Sequence, residues 1–315
     1  MERNLRPELL AAGVAGVARA AELLRGGGLV AVPTETVYGL MARADRDASV
    51  AAIYRAKGRP SFNPLIVHVA DLAAAHRLAV LDARAEKLAA AFWPGALTLV
   101  LPLREGAEVA PAVTAGLPTV ALRCPAHPLM RAVLAESGLP LAGPSANRSG
   151  GVSPTRAEHV VASLGANVDA VLDGGACEAG VESTIIALRD DGRWQVLRPG
   201  PIPQEAIRAI LGADCDAVTS QEIEAPGQLA SHYAPGKPVR LNAETAAEDE
   251  FHIGFGNVAG EASLSASGDV IEAASRLYAL LHEGAAASQA RIAVAPIPQD
   301  GVGAAINDRL SRAAA

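Results

Sequence analysis

Between residues 33 and 68 the chain gathers groups that could handle an anionic substrate. Pro33-Thr34-Glu35-Thr36-Val37-Tyr38-Gly39 comes first, then Lys57-Gly58-Arg59-Pro60, then Asn63-Pro64-Leu65-Ile66-Val67-His68. An apolar run, Leu29 to Val32, leads into the hydroxyl–carboxylate–hydroxyl cluster, and the cations and the histidine arrive just before and within the next apolar run. Packing alone requires neither Thr-Glu-Thr nor Lys-Gly-Arg there. Pro60 restrains the backbone at Arg59 toward extended geometry, in which residues two apart face the same way. Lys57 and Arg59 are then two fixed cations on one side, suited to a polyanion such as a nucleotide's phosphates. The bland alternative is a solvated Lys-Gly-Arg loop. Polar strand ends in open α/β sheets collect at one crevice, which favours the ligand reading.

Four more places could do chemistry. Arg123 ends a strand-like run and could clamp a carboxylate through two N–H groups, or stand exposed at a strand end. Gly143-Pro-Ser145-Ala-Asn147 and Ser149-Gly-Gly-Val-Ser153 form a hydroxyl-rich loop of small residues, whose amides could cradle phosphate or simply be solvated. Glu182-Ser183-Thr184 opens a strand with three polar residues in a row, so at least one must point inward. His68 shares a face with Ile66 and could be an ordinary core histidine; a hydrolytic pair with Ser145 has no readable oxyanion device beside it. There is no Gly-x4-Gly-Lys-Ser/Thr, no His-Glu-x-x-His and no Gly-x-Ser-x-Gly. Gly254-Phe-Gly256-Asn-Val-Ala259 matches a dinucleotide fingerprint only briefly.

The elements that must position these groups alternate in type. A first amphipathic helix carries Val14, Val17, Ala21 and Leu24 and stops at Gly26. Strands are expected at Leu29–Val32, Leu65–Val69, Leu97–Leu101, Thr119–Leu122, Ala170–Leu172, Glu182–Leu188 and Trp194–Arg198, the last two flanking the turn signal Asp191-Gly192. Helices are expected at Ala48–Arg55, Ala83–Phe92, Leu129–Glu136, from Ser153 or Thr155 to about Leu164, and at Gln204–Leu211. Periodicity disappears between Gly212 and Pro238, and long structureless connections are commonly functional. Three short strands and two amphipathic helices then make a small βα unit. The expected fold is α/β of the α+β type: a twisted mixed sheet with flanking helices (1–211), a linker (212–238), and a small Rossmann-like βα domain (239–315).

Bulk composition narrows the classes. The 315 residues are half hydrophobic, only 3% aromatic and 19% charged, so the core is built from many small side chains. A formal charge of −7 argues against direct non-specific nucleic-acid binding. Cys124, Cys177 and Cys215 lie far apart and fit a reducing compartment rather than a zinc site or a disulfide framework. Arg3 and Arg6 before an apolar stretch give a weak signal-peptide pattern, which the helical spacing of that stretch outweighs. No run reaches the ~20 apolar residues a membrane span needs. A soluble, cytoplasmic chain without a membrane span is expected.

Taken in order, Pro33–Gly39, Lys57–Pro60 with Asn63-Pro64-Leu65, Phe92-Trp-Pro-Gly-Ala-Leu-Thr98, Pro144-Ser-Ala-Asn147 and Glu182-Ser-Thr-Ile185 resemble the threonylcarbamoyl-AMP synthase (YrdC-like) family over about residues 15–205. Pro226-Gly227, His232-Tyr-Ala-Pro235 and Gly301-x-Gly303-x-x-Ile306-x-x-Arg309-Leu310 resemble its longer, two-domain branch, in which the linker is a lid over the active site. Many members carry basic residues where this chain has Gln228-Leu-Ala-Ser231. The resemblance implies condensation of L-threonine, bicarbonate and ATP to threonylcarbamoyl-AMP and pyrophosphate, with Mg²⁺ brought by the ATP. The product would pass to a separate tRNA threonylcarbamoyl transferase complex. By the family pattern Thr36, His68, Arg123 and Ser183 surround threonine. Arg59, Asn63, Thr119, Ser145, Ser153, Arg198 and Tyr233 contact ATP, and Lys57 and Arg59 are the catalytic cations. No residue is implied as a metal ligand. Two rival readings are an RNA-binding module of the same fold and a carbamoyltransferase that uses a carbamoyl adenylate.

Overall fold

The computed structural model describes residues 6–212, 215–216, 223–228 and 232–315. In chain order the first part contains β1 (Glu8–Ala11), α1 (Val14–Arg25), β2 (Val30–Val32), β3 (Gly39–Arg43), α2 (Asp47–Lys57), β4 (Ile66–His68), α3 (Leu72–Leu78) and α4 (Ala83–Phe92). It continues with β5 (Leu97–Pro102), α5 (Pro111–Thr114), β6 (Thr119–Arg123), α6 (Pro128–Ser137), β7 (Leu141–Ala142), α7 (Ala157–Leu164), β8 (Ala170–Asp173), β9 (Thr184–Leu188), β10 (Trp194–Arg198) and α8 (Gln204–Leu211). After β11 (Cys215–Asp216) come β12 (Val239–Arg240), β13 (Glu250–Gly254), β14 (Ala262–Ser263), α9 (Val270–Ala286), β15 (Arg291–Val294) and α10 (Val302–Ala313).

One sheet runs β1-β8-β2-β3-β7-β4-β6-β5-β9-β10-β11 and mixes parallel with antiparallel pairs. A second sheet, β12-β15-β13-β14, is parallel throughout, as βα connections require. Alternate strand residues split the large sheet's two faces. Leu65, Val67, Leu99, Leu101, Val120 and Leu122 join the main apolar core. Ile66, Val100, Ala121, Ile185, Ala187 and Leu197 form a smaller cluster with Ala225, beyond the end of the last helix of the first part. The parts are also joined by packing, because Val37, Val152 and Val181 belong to the same apolar cluster as α9, α10 and β13.

The departures from expectation have local causes. Residues Glu8–Ala11 form an edge strand paired in parallel with β8, and the helix starts only at Val14. Gly39–Arg43 is a strand hidden by the motif before it, and Leu72–Leu78 is a helix whose cap, Asp71, accepts from the Ala74 amide at 2.7 Å. The helix expected from Ser153 or Thr155 begins at Ala157, because the Ser153 hydroxyl is used elsewhere, on Glu182. Gly254–Ala259 makes no strand-to-helix turn: Phe255 and Val258 pair with one another and the next helix waits until Val270. Within the linker, Cys215–Asp216 extends the large sheet in parallel with β10, where no strand was expected. Residues 213–214, 217–222 and 229–231, including most of the Gln228–Ser231 stretch, lie outside the described residues.

Candidate active site

The cavity lies where strands end, as the sequence pattern suggests: His68, Arg123 and Arg198 are the last residues of β4, β6 and β10, Thr34, Thr36 and Val37 follow β2, and Gly143, Pro144 and Ser145 follow β7. His68 and Arg123 are register partners on the parallel pair β4 and β6, and His68 lines the cavity together with Ile66, two residues before it. Among the described residues, none that lines the cavity belongs to a helix. Pro226, Gly227, His232 and Tyr233 of the linker close it. A face that alternates apolar with hydroxyl, imidazole and guanidinium groups needs polar partners overhead, which an apolar helix stripe cannot supply.

Arg123 anchors one end. Its Nη1 donates to Thr36 Oγ1 at 2.8 Å, its Nη2 to Glu35 Oε1 at 2.5 Å, and its Nε to the Gly95 carbonyl at 3.2 Å. A guanidinium has five N–H donors, so each Nη keeps one more. The hydroxyls next to it have fixed directions. Thr34 Oγ1 donates to the Val37 carbonyl at 2.7 Å, so across the 2.8 Å Thr34–Thr36 contact the proton comes from Thr36. The other Glu35 oxygen accepts from the Ala126 and His127 amides at 3.1 and 3.3 Å. Burial pushes the Glu35 carboxyl up, but Arg123 and those amides outweigh it and hold it below the usual carboxylate range.

Burial, reinforced by Arg123, drives His68 down to about 3, so its imidazole is neutral at pH 7. Its Nδ1 is buried without a hydrogen-bond partner, as is Nδ1 of His232, likewise held by burial at about 3. Ser183 Oγ lies 2.7 Å from Thr98 Oγ1 and accepts from Arg198 Nη2 at 3.1 Å. Arg198 Nε donates to the Ser183 carbonyl at 3.1 Å, and its Nη1 to the linker's Pro226 carbonyl at 3.2 Å. Arg59 donates from Nη2 to Asn63 Oδ1 and the Pro64 carbonyl at 2.6 and 2.9 Å, and from Nε to the Asn63 carbonyl at 3.2 Å. Burial lowers Arg59 to about 10, which leaves it charged at neutral pH.

Of the predicted residues, Thr36, His68, Arg123, Ser183, Arg59, Ser145, Arg198 and Tyr233 line one cavity. Four do not line it. Lys57 donates to the Ser145 and Asn147 carbonyls at 2.6 and 2.5 Å and so holds the loop that presents Ser145. It also sits on the last turn of α2, and Gly58 beyond it is left-handed (φ 61°), so Lys57 and Arg59 are not two cations along one extended segment. Asn63 supports Arg59, Ser153 donates to Glu182 Oε1 at 2.5 Å, and Thr119 opens β6 at the end away from Arg123. The cavity also includes Thr34, Glu182, Gly227 and His232, to which no role was given. Three consecutive polar residues marked Glu182, the Thr-Glu-Thr cluster marked Thr34, and the Pro-Gly and His-Tyr pairs marked Gly227 and His232.

The family model described as "Telomere recombination", of the Sua5, YciO and YrdC proteins, matches residues 22–200. A second, described as "Threonylcarbamoyl-AMP synthase, C-terminal domain", matches residues 202–315. The chain belongs to the threonylcarbamoyl-AMP synthase family. The Bacillus subtilis threonylcarbamoyl-AMP synthase is 49% identical over 230 residues, 71% of this chain and 66% of that protein, just short of two-thirds of its length. A putative threonylcarbamoyl-AMP synthase of Mycobacterium tuberculosis is 39% identical over 63% of this chain and 90% of its own. The crystal structure of Pyrococcus abyssi Sua5 complexed with L-threonine matches with a TM-score of 0.88 at 34% identity, covering 98% of this chain and 97% of that one. The two family models thus follow one another along the chain, and the match to the Pyrococcus abyssi structure extends over both. No helix of the described residues is long and apolar enough to cross a membrane.

Proposed function

We propose that the chain is an L-threonylcarbamoyladenylate synthase, which joins L-threonine, bicarbonate and ATP and releases pyrophosphate. The observation that carries this reading is one cavity in which Arg123, Thr36 and His68 stand within reach of Arg59, Arg198 and Ser145. Threonine's carboxylate would sit on the remaining Nη protons of Arg123, and the unpaired His68 Nδ1 would accept a hydrogen bond from its hydroxyl or ammonium group. The phosphates of ATP would face Arg59 and Arg198, and Ser183 would lie between the two substrates.

In the reaction bicarbonate takes up a proton and loses water to give CO₂; the threonine amine adds to its carbon as one C=O π bond opens onto oxygen, and the amine's surplus proton passes to solvent. A carbamate oxygen then attacks the α-phosphorus, the α–β bridging P–O bond breaks, and pyrophosphate leaves with its electron pair. The protein's part is placement and charge stabilisation, the main levers in phosphoryl and nucleotidyl transfer. We assign Mg²⁺ to the nucleotide's phosphates, since the cavity's own carboxylate, Glu182, is engaged by Ser153, Tyr278 and Arg309. A free carbamate hydrolyses readily, so a linker that covers the cavity and excludes water has a chemical purpose. The product would feed a tRNA threonylcarbamoyl transferase. Purified chain given the three reactants and Mg²⁺ should release pyrophosphate only when both threonine and bicarbonate are present. Release without threonine, or none at all, refutes the assignment.

A further inference from the structure

Glu182 is a carboxylate on the wall of a cavity whose other charged groups are Arg59, Arg123 and Arg198. An unpaired carboxylate there would repel a polyphosphate or take one of those cations for itself. What engages it comes largely from the C-terminal domain. Oε2 accepts from Tyr278 OH on α9 and from Arg309 Nε on α10, both at 2.8 Å, while Oε1 accepts from Ser153 Oγ. Arg309 is fully buried. Its Nη2 donates to the carbonyl of Pro199, the neighbour of Arg198, at 2.9 Å, and its Nη1 to Asp308 at 2.6 Å. Its guanidinium also lies 5.4 Å from the ring centroid of Tyr233 in the linker.

We propose that Arg309 is a positioning residue for the nucleotide site: by binding Glu182 it leaves Arg198 free to meet the phosphates of ATP, so the C-terminal domain completes a site that lies in the other domain. This rests on the reading of the cavity as the ATP site. Domain docking alone does not call for such a pair, because well-packed apolar side chains replace buried ion pairs at little or no cost in stability. Burial pushes the Glu182 carboxyl up, yet Arg309 first and Arg198 second outweigh it and hold it at about 2. Arg198 already donates to the carbonyl and the hydroxyl of Ser183, the residue next to Glu182, so it is the cation that Glu182 would turn to if Arg309 were lost.

The test uses the full-length chain and calorimetric titration with MgATP and, separately, with threonine, beside pyrophosphate release. Arg309→Met should weaken ATP binding at least tenfold and threonine binding less than threefold. Adding Glu182→Gln to that variant should return ATP affinity to within threefold of the parent. Equal losses for both ligands, or a double variant no tighter than Arg309→Met, would overturn the proposal. Should Arg309→Met fail to fold by circular dichroism, Glu182→Gln alone decides, since its amide can keep the contacts without the charge. It should bind ATP at least as tightly as the parent, and a tenfold weakening would overturn the idea. A parent chain that binds ATP but releases no pyrophosphate refutes the synthase reading and leaves the titrations to judge Arg309 by themselves.

Discussion

Replacing Arg123 by methionine should do two separable things, because the guanidinium holds Glu35 as well as facing the cavity. Arg123 is 4% and Glu35 13% exposed, and the ion pair between them is 2.5 Å long. Removing one partner of a buried pair costs about 3–5 kcal/mol. Here Glu35 keeps two amide bonds on its other oxygen, so the lower end, about 3 kcal/mol, is expected. For a domain of this size that is a fall of about 6–12 °C in the unfolding midpoint. The loss should depend on pH with a definite sign. In the parent, the lowered Glu35 pKa contributes stability above the unfolded value of 4.5, lost as pH falls through the folded value. In Arg123→Met only burial remains to act strongly, so the folded pKa rises above 4.5 and protonation favours the folded state. The gap between variant and parent should then narrow by up to about 1.4 kcal/mol per pH unit below that raised pKa. Urea unfolding of both proteins at pH 7.5 and 4.5 reads it, and Glu35→Gln in the variant should restore stability without restoring threonine binding. A gap below 1 kcal/mol, or one equal at both pH values, refutes the account.

Three further outcomes follow from the same geometry. Asn63→Asp keeps the shape of the Arg59 partner while adding a charge; it should hold stability or raise it by about 1 kcal/mol and weaken ATP binding at least tenfold, as calorimetry and urea unfolding would show together. Gly227 has φ +87°, and a Cβ there would lie 2.8 Å from Arg198 Cδ and 3.0 Å from the Tyr233 oxygen; Gly227→Ala should leave circular dichroism intact and raise the KM for ATP severalfold. His68 and His232 are neutral in the folded chain, with pKa values of about 3 against 6.5 unfolded. As pH falls below 6.5 the unfolded chain gains protons the folded one refuses, so these two should remove together about 3 kcal/mol of stability by pH 5.5; a urea midpoint unchanged between pH 7.5 and 5.5 would sink this.

Much of the cavity was legible because its residues interrupt patterns that packing would otherwise set. His68 between two valines, and Glu182-Ser183-Thr184 at the head of an apolar strand, are costly unless something binds them. The errors arose where one residue belongs to two patterns. Lys57 closes α2 and Arg59 opens the next loop, so a spacing of two that would align them in a strand separates them across the left-handed Gly58. Ser153-Pro154 reads as a helix start, yet the hydroxyl serves a carboxylate 29 residues away. Such long-range partners leave no local trace. The same holds for Arg309, 127 residues from Glu182.

The partners of the cations show how such a site can stay positive while buried. Arg59 and Arg198 are met mainly by oxygens without formal charge: the carbonyls of Asn63, Pro64, Ser183 and Pro226, the amide of Asn63 and the hydroxyl of Ser183. Such oxygens fix a cation's position and offset part of its desolvation cost without cancelling its charge. The carboxylates nearby are directed elsewhere, Glu35 to Arg123 and Glu182 to Arg309. On the proposed assignment, a paired carboxylate beside threonine would be tolerable, because a small zwitterion needs one oriented guanidinium rather than a strong field. Beside the nucleotide the same pairing would remove the charge that a triphosphate needs, and there the cations are held by carbonyls. A division between an ion pair at one end and carbonyl-held cations at the other would then let one cavity tell an amino acid from a polyanion.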